Sequence, residues 1–193
     1  MIPSGSDYDI PWEATPLAES FDLYYSLDSG ASWTLIKRDV RNTIYPWPVP
    51  KTIGNKKACL VKVVGYNAAR TKKIGSDASD KPFTIEVVKI VQPNGGEVLK
   101  SGDPYSIQWE INGTKSPVTK VNLYYTTNKG ESYVLIENIS TVDPGTRPWA
   151  MSHQWTPTVT STKPYCKVKG VLYDVKNTIL SSDVSDNYFT ISP

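Results

Sequence analysis

Two halves of this chain carry the same residues in the same order, at offsets between 97 and 108 residues. The offset changes only by loop-sized insertions, and unrelated segments do not match collinearly in this way. A period near 100 residues is too long for a solenoid repeat and fits one β-sandwich domain. We therefore predict two domains, 1–86 and 87–193. The matched positions include Trp12 with Trp109, Leu23-Tyr24-Tyr25 with Leu123-Tyr124-Tyr125, Trp47 with Trp155, Cys59 with Cys166, and Phe83-Thr84-Ile85 with Phe189-Thr190-Ile191.

Short strands separated by turns account for the residue pattern inside each copy. Proline and glycine interrupt the chain at roughly the 8–12-residue spacing of sandwich strands. In the second copy Tyr105, Ile107 and Trp109 alternate with polar residues, as one face of a strand does. Asn128-Lys129-Gly130 is typical of a tight hairpin turn. The predicted fold class is all-β, with two tandem immunoglobulin-like or fibronectin-III-like antiparallel sandwiches.

Composition excludes several classes of function. The net charge is +2 with both signs interspersed, so neither nucleic acid nor an anionic membrane surface is an expected partner. No apolar run is long enough for a membrane span. Cys59 and Cys166 are equivalent positions in different copies, which predicts buried thiols rather than a disulfide framework. No set of nucleophile, base and orienting residue is recognisable, so we predict that the chain is not an enzyme.

Several motifs together resemble a known class of module. They are Pro93-Asn94-Gly95-Gly96-Glu97, Leu123-Tyr124-Tyr125, Cys166-x-Val168, and Ser182-Asp183-x-Ser185-Asp186 leading into Phe189-Thr190-Ile191. This pattern resembles the immunoglobulin/fibronectin-III-like repeats of bacterial secreted and surface proteins. It is also distantly similar to the domain of yeast cell-wall assembly proteins. The resemblance implies an extracellular or cell-surface location and a role as spacer, adhesion or assembly element, with protein neighbours or other domains of a larger polypeptide as partners.

The two copies differ at their beginnings. Copy two has the segment 86–100 before its Ser101-Gly102 pair, whereas copy one has only three residues before Ser4-Gly5. Copy one therefore lacks a first strand and the Pro-Asn-Gly-Gly turn that follows it. One explanation is a truncated or processed chain. The other is an open edge in the first domain that accepts a strand from a neighbouring subunit and so produces a homo-assembly.

A turn motif of sialidase propellers occurs once in full. The segment Ser26–Trp33 reads Ser-x-Asp-x-Gly-x-x-Trp, and Thr126–Tyr133 is a relaxed version with Thr, Asn, Gly and Tyr at those positions. A propeller needs blade repeats of roughly 40–50 residues, which this chain lacks. We therefore interpret both segments as hairpin turns that stabilise the fold, with no glycosidase function.

A Ser-Asp-x-Ser-Asp motif precedes the last strand of each copy. Its carboxylates are Asp77, Asp80, Asp183 and Asp186, and carboxylate oxygens are calcium ligands. Two carboxylates per copy are too few for a site by themselves, so we predict no cofactor. Calcium binding is the alternative to a simple Asx or Ser turn at this position.

One insertion of copy two contains the candidates for ligand contact. Trp149 has no counterpart in copy one and follows Arg147-Pro148, with His153 nearby. An exposed aromatic ring can stack on a sugar, so Trp149, with Arg147 and His153, predicts a contact with a partner or a polysaccharide. The corresponding alternative function is a carbohydrate-binding accessory domain of a secreted hydrolase. Trp47 and Trp155 are predicted to be core residues instead.

Overall fold

The computed structural model describes all residues from Met1 to Pro193 and contains seventeen β-strands and no helix. The strands fall into two compact units. Unit 1 comprises Met1–Pro50 and Lys56–Ile85, and unit 2 comprises Lys51–Asn55 and Glu86–Pro193. Each unit has one larger and one smaller sheet. The predicted fold class, two tandem all-β sandwiches, is confirmed. No helix that could span a membrane is present.

Unit 1 pairs a six-stranded sheet with a two-stranded one. The larger sheet has the order β1-β8-β6-β3-β4, with β7 also on β6, and the smaller sheet is β2-β5. The strands are β1 Ile2–Pro3, β2 Asp7–Pro11, β3 Ser20–Ser26, β4 Thr34–Val40, β5 Ile44–Pro48, β6 Lys56–Tyr66, β7 Lys73–Ala78 and β8 Phe83–Glu86.

Unit 2 repeats this plan with one strand more. Its larger sheet has the order β10-β17-β15-β12-β13 with β16 on β15, and its smaller sheet has three strands, β14-β11-β9. The pairing of β10 with β17 is parallel and the other recorded pairs are antiparallel. The strands are β9 Val88–Gln92, β10 Val98–Lys100, β11 Tyr105–Ile111, β12 Lys120–Thr126, β13 Val134–Ser140, β14 Trp149–Trp155, β15 Lys163–Tyr173, β16 Ile179–Val184 and β17 Phe189–Ser192.

Many of the positions that repeat between the copies form the cores. Leu23 and Cys59 have no exposed surface in unit 1, and neither do Leu123 and Cys166 in unit 2. Trp47 is 2% exposed. Alternation along each strand directs these side chains to the space between the sheets. The repeat is therefore a record of sandwich packing, and the predicted core role of Trp47 agrees with its burial.

The short segment Lys51–Asn55 belongs to unit 2, although it lies within the first sequence copy. The Asn55 side-chain oxygen accepts hydrogen bonds from the backbone N–H groups of Val87 at 2.7 Å and Val88 at 3.1 Å, and its amide donates to the Val88 carbonyl at 2.8 Å. Val87 and Val88 are fully buried, so these groups have no access to water. Asn55 thus provides hydrogen-bond partners for the buried backbone groups at the beginning of β9.

The hairpins at Ser26–Trp33 and Thr126–Tyr133 have the same hydrogen-bond arrangement. Asp28 accepts hydrogen bonds from the Ser32 N–H at 2.9 Å and the Ser32 hydroxyl at 2.5 Å, and Ser26 accepts from the Gly30 N–H at 2.8 Å. A side chain on Gly30 would lie 3.3 Å from the Trp33 ring, which folds over the turn. The counterpart of Asp28 is Asn128, which accepts from the Ser132 N–H at 3.1 Å.

The Asp28 turn predicts a pH-dependent contribution to the stability of unit 1. Hydrogen bonds from Ser32, and then from Ser26, lower the pKa of the Asp28 carboxyl to about 2. A carboxyl whose pKa is lower in the folded state than in the unfolded state stabilises the fold above its unfolded pKa. This stabilisation is lost as the pH falls, here between about pH 4 and pH 2. We expect Asp28→Asn to remove this part of the acid dependence, measured by urea unfolding at neutral and acidic pH. Identical pH profiles for the variant and the parent would contradict the assignment.

The two thiols are predicted to be unreactive in the folded chain. Burial raises the pKa of Cys166 to about 11 and that of Cys59 above its usual value. Each Sγ also donates a hydrogen bond of 3.2 Å to a backbone carbonyl. Because the thiolate is the reactive species, a thiol reagent such as Ellman's should label neither cysteine at mildly alkaline pH before the chain is unfolded. Rapid labelling of the native chain would show that these sites open locally.

Candidate functional site

In unit 2, strand β9 is an edge strand of the smaller sheet. It pairs with β11 in antiparallel register, with Ile90 opposite Trp109 and Val88 opposite Ile111. Val88 and Ile90 are fully buried, and Trp109 is 1% exposed. The strand therefore completes the smaller sheet and closes the core beneath it.

Three side chains of the Ser182–Asp186 motif bind this strand and the turn that follows it. Asp183 accepts a hydrogen bond from the Ile90 N–H at 2.8 Å, and the Ser185 hydroxyl donates to the Pro93 carbonyl at 2.7 Å. Asp186 accepts from the Asn94 side-chain amide at 2.9 Å. We call Asp183, Ser185 and Asp186 the strand clasp.

Unit 1 has no counterpart of β9, and its β2 strand is unpaired on one side. Trp12, the equivalent of Trp109, is partly exposed, and so is Ile74, the equivalent of Leu180. A groove of about 690 Å³ lies beside β2 in unit 1. The apolar residues along it include Ile10, Trp12, Phe21, Val63 and Ile74.

Backbone groups of β2 face the open side of this groove. The Trp12 N–H donates to the Thr43 carbonyl at 3.0 Å, in the direction of β5. Successive residues of a strand point their hydrogen-bonding groups to opposite sides, so those of Asp9, Pro11 and Glu13 point away from β5. Pro11 contributes only a carbonyl, because proline has no N–H.

The rim of the groove is acidic. Its charged lining residues are Glu13, Asp77 and Asp80, with no lysine, arginine or histidine among them. Asp77 and Asp80 occupy the positions of Asp183 and Asp186 but are exposed. Their carboxylates form no hydrogen bond and no ion pair in the structure. Unit 1 thus has the carboxylates of a strand clasp without a strand between them.

The four carboxylates predicted as calcium candidates are now placed. In unit 2 Asp183 and Asp186 bind the β9 segment, and in unit 1 Asp77 and Asp80 lie at the groove. No group of three or more histidine, cysteine, aspartate or glutamate side chains that could hold a metal ion is present. Sequence reasoning missed the clasp, although its signal was visible. The Ser-Asp-x-Ser-Asp motif occurs in both copies, whereas the Pro-Asn-Gly-Gly turn that it binds occurs in one.

The other predicted site residues, Trp149, His153 and Arg147, lie in and just before β14. Trp149 pairs with Ile111 and is partly buried against the core of unit 2, unlike the exposed aromatic that the sequence predicts. The reason is strand alternation, which puts Trp149 and His153 on the same side as the buried Trp155. A ligand contact at Trp149 or His153 stays a prediction.

The Arg147 side chain is held by contacts within unit 2. Its guanidinium donates to the Asn112 carbonyl at 3.0 Å and to the Asp143 carboxylate at 2.6 Å. Burial alone would raise the pKa of Asp143, but hydrogen bonds from Arg147, Gly145 and Val118 lower it to about 2. This ion pair stabilises the insertion, and a partner contact by Arg147 also stays a prediction.

No family model matches the sequence, and no curated protein matches it. Solved structures give matches with low identity and low TM-score. Fibronectin(III)-like modules of Clostridium thermocellum CbhA are 14% identical, with a TM-score of 0.38, over 99% of this chain and 88% of theirs. A two-domain fibronectin type-III segment of chicken tenascin is 9% identical, with a TM-score of 0.37, over 95% and 94%.

A third match is the three N-terminal domains of the highly immunogenic outer capsid protein of bacteriophage RB49. It is 12% identical, with a TM-score of 0.31, over 99% of this chain and 65% of that one. At these identities no residue role is transferred. The strands of the structure itself show a tandem of two all-β units.

The clasp predicts that equivalent carboxylates differ in their effect on stability. Asp183→Ala leaves the buried Ile90 N–H without its acceptor, which should cost unit 2 about 1–3 kcal/mol. Asp77→Ala removes an exposed carboxylate with no partner, so unit 1 should change by less than about 0.5 kcal/mol. Denaturant unfolding measures both, and hydrogen exchange at Ile90 reports the local loss. Equal effects in the two units would refute the clasp.

Proposed function

We propose that the chain is a non-enzymatic structural and interaction module of a secreted or cell-surface protein, and that unit 1 is its assembly element. The observation that carries the proposal is the uncovered groove beside the unpaired edge of β2. An apolar groove next to free backbone donors and acceptors is the arrangement that β-augmentation uses. Unit 2 supports the same reading, because a strand fills the corresponding place there.

A setting outside the cell rests on the repeat motifs, because the free buried thiols of the two cores do not report the redox compartment. The resemblance of the repeat motifs to bacterial extracellular modules, distantly similar to the domain of yeast cell-wall assembly proteins, supports the same setting. Among the roles of spacer, adhesion and assembly element, the open edge favours assembly.

A self-complemented variant tests whether a strand in the position of β9 can complete the sandwich of unit 1. The sequence of residues 87–97, which precedes Val98 in unit 2, is placed directly before Met1, the position equivalent to Val98. If this strand fills the groove, burial of Trp12 and Ile74 should raise the unfolding free energy of unit 1 by about 3 kcal/mol. The measurement is denaturant unfolding of the full chain, with tryptophan fluorescence as the signal.

The matched control carries the same extension with aspartate in place of its two inward-facing residues, the copies of Val88 and Ile90. This control should leave unit 1 no more stable than the parent. Equal stability of all three proteins would overturn the proposal. Glycan binding that Trp149→Ala abolishes would replace it with the carbohydrate-binding alternative.

A further inference from the structure

We infer that the groove of unit 1 binds an extended basic segment of a partner polypeptide, which adds to β2 as an antiparallel strand. The inference rests on the proposed function and names the chemistry of the partner. It follows from the contacts that unit 2 makes with β9, from the side chains that unit 1 places at the equivalent points, and from the charge of the groove.

The strand β9 defines the residue pattern that such a groove accepts. Val88 and Ile90 point into the core, and Lys89 lies between them on the other face. Lys89 is opposite Glu110 of β11 in the register of the pair. The equivalent of Glu110 in unit 1 is Glu13, which lines the groove. A basic residue between two apolar ones in the incoming strand would therefore face Glu13, and opposite charges across a strand pair are favourable.

The acidic motif of unit 1 supplies the next contacts. In unit 2, Asp183 accepts the N–H of Ile90, a residue in the middle of the strand. Asp77 stands at that position in unit 1 with its carboxylate unpaired, so it can accept an N–H of the incoming backbone. Ser79 accepts the Val61 N–H at 3.0 Å, as Ser185 accepts the Val168 N–H at 3.0 Å. The hydroxyl that binds β9 in unit 2 is therefore held in the same way in unit 1.

The edge itself discriminates between strands by charge. Natural edge strands often carry charged residues and proline, which discourage indiscriminate pairing. The β2 edge carries Asp7, Asp9 and Pro11, followed by Glu13. Pro11 removes one N–H at the position where Gln108 of unit 2 pairs with Gln92, but the groups of Asp9 and Glu13 remain. Because these side chains are acidic, they oppose an acidic strand and favour a basic one.

The same charge argues against a second copy of β2 as the occupant. Pairing two β2 edges would bring the aspartates of one copy against those of the other, and like charges across a strand pair are unfavourable. A basic segment of a different polypeptide has no such conflict. The partner chemistry is thus an extended stretch that alternates apolar and basic residues over about five positions, the length of β9.

A peptide titration tests this inference on the full chain. The probe is a fluorescein-labelled peptide with the sequence of residues 87–95 and blocked termini, in which the copy of Lys89 is the single charge. Fluorescence polarisation should show saturable binding that weakens as salt is added. A peptide with glutamate in place of that lysine should bind about tenfold more weakly or worse.

Variants of the chain separate the clasp from general electrostatics. The double variant Asp77→Ala/Asp80→Ala should lower the affinity about tenfold, because it removes the carboxylates that face the strand. The matched control Asp103→Ala removes an exposed carboxylate of unit 2 and should leave the affinity unchanged. The self-complemented variant should not bind the peptide, because its groove is filled.

Three outcomes would overturn the inference. If the lysine and glutamate peptides bind equally well, or the double variant binds like the parent, charge does not select the occupant. If the full chain associates with itself and the peptide disrupts that association, a second copy is the occupant. A self-complemented variant that gains stability while neither peptide binds would leave the proposed function standing and refute the basic partner alone.

Discussion

The antiparallel pairing of β9 with β11 is the interaction on which the closure of unit 2 depends. A β-sandwich buries its core only when an apolar sheet face is covered along its whole width. In unit 2, β9 provides that cover above Trp109 and occupies the backbone edge of β11 at the same time. In unit 1 the same scaffold lacks the strand, and the absence has two linked effects. The core beside Trp12 is open to solvent, and the edge of β2 has no partner.

The acidic Ser-Asp-x-Ser-Asp motif acquires a meaning only in relation to this strand. From its residues alone the motif can be interpreted as a turn or as part of a calcium site. Both interpretations involve only contacts between residues close in sequence. The contacts of unit 2 are between residues more than 90 positions apart, as with Asp183 and Ile90 or Asp186 and Asn94. The motif is therefore better described as a tertiary clasp. Unit 1 has the same motif beside its groove, with both carboxylates exposed.

Different residues can build the same local structure when the geometry requires only an acceptor and a residue that tolerates positive φ. Asp28 and Asn128 accept the same backbone N–H in their hairpins, and Gly30 and Gly130 have φ angles of 88° and 94°. This is why the relaxed motif of the second copy could be recognised from sequence. Trp149 shows the limit of such reasoning. Its position in an insertion suggests exposure, whereas the alternation of β14 places it against the core.

The sequence by itself determined the fold class, the duplication and most of the core, because alternating apolar residues and turn-forming residues act over a few positions. Only the tertiary structure decided what the absence of a β9 counterpart in unit 1 exposes, what the acidic motif binds, and that Asn55 supports the beginning of β9. These features depend on pairings between distant segments, and no local pattern specifies which backbone group a carboxylate will reach once the chain has folded.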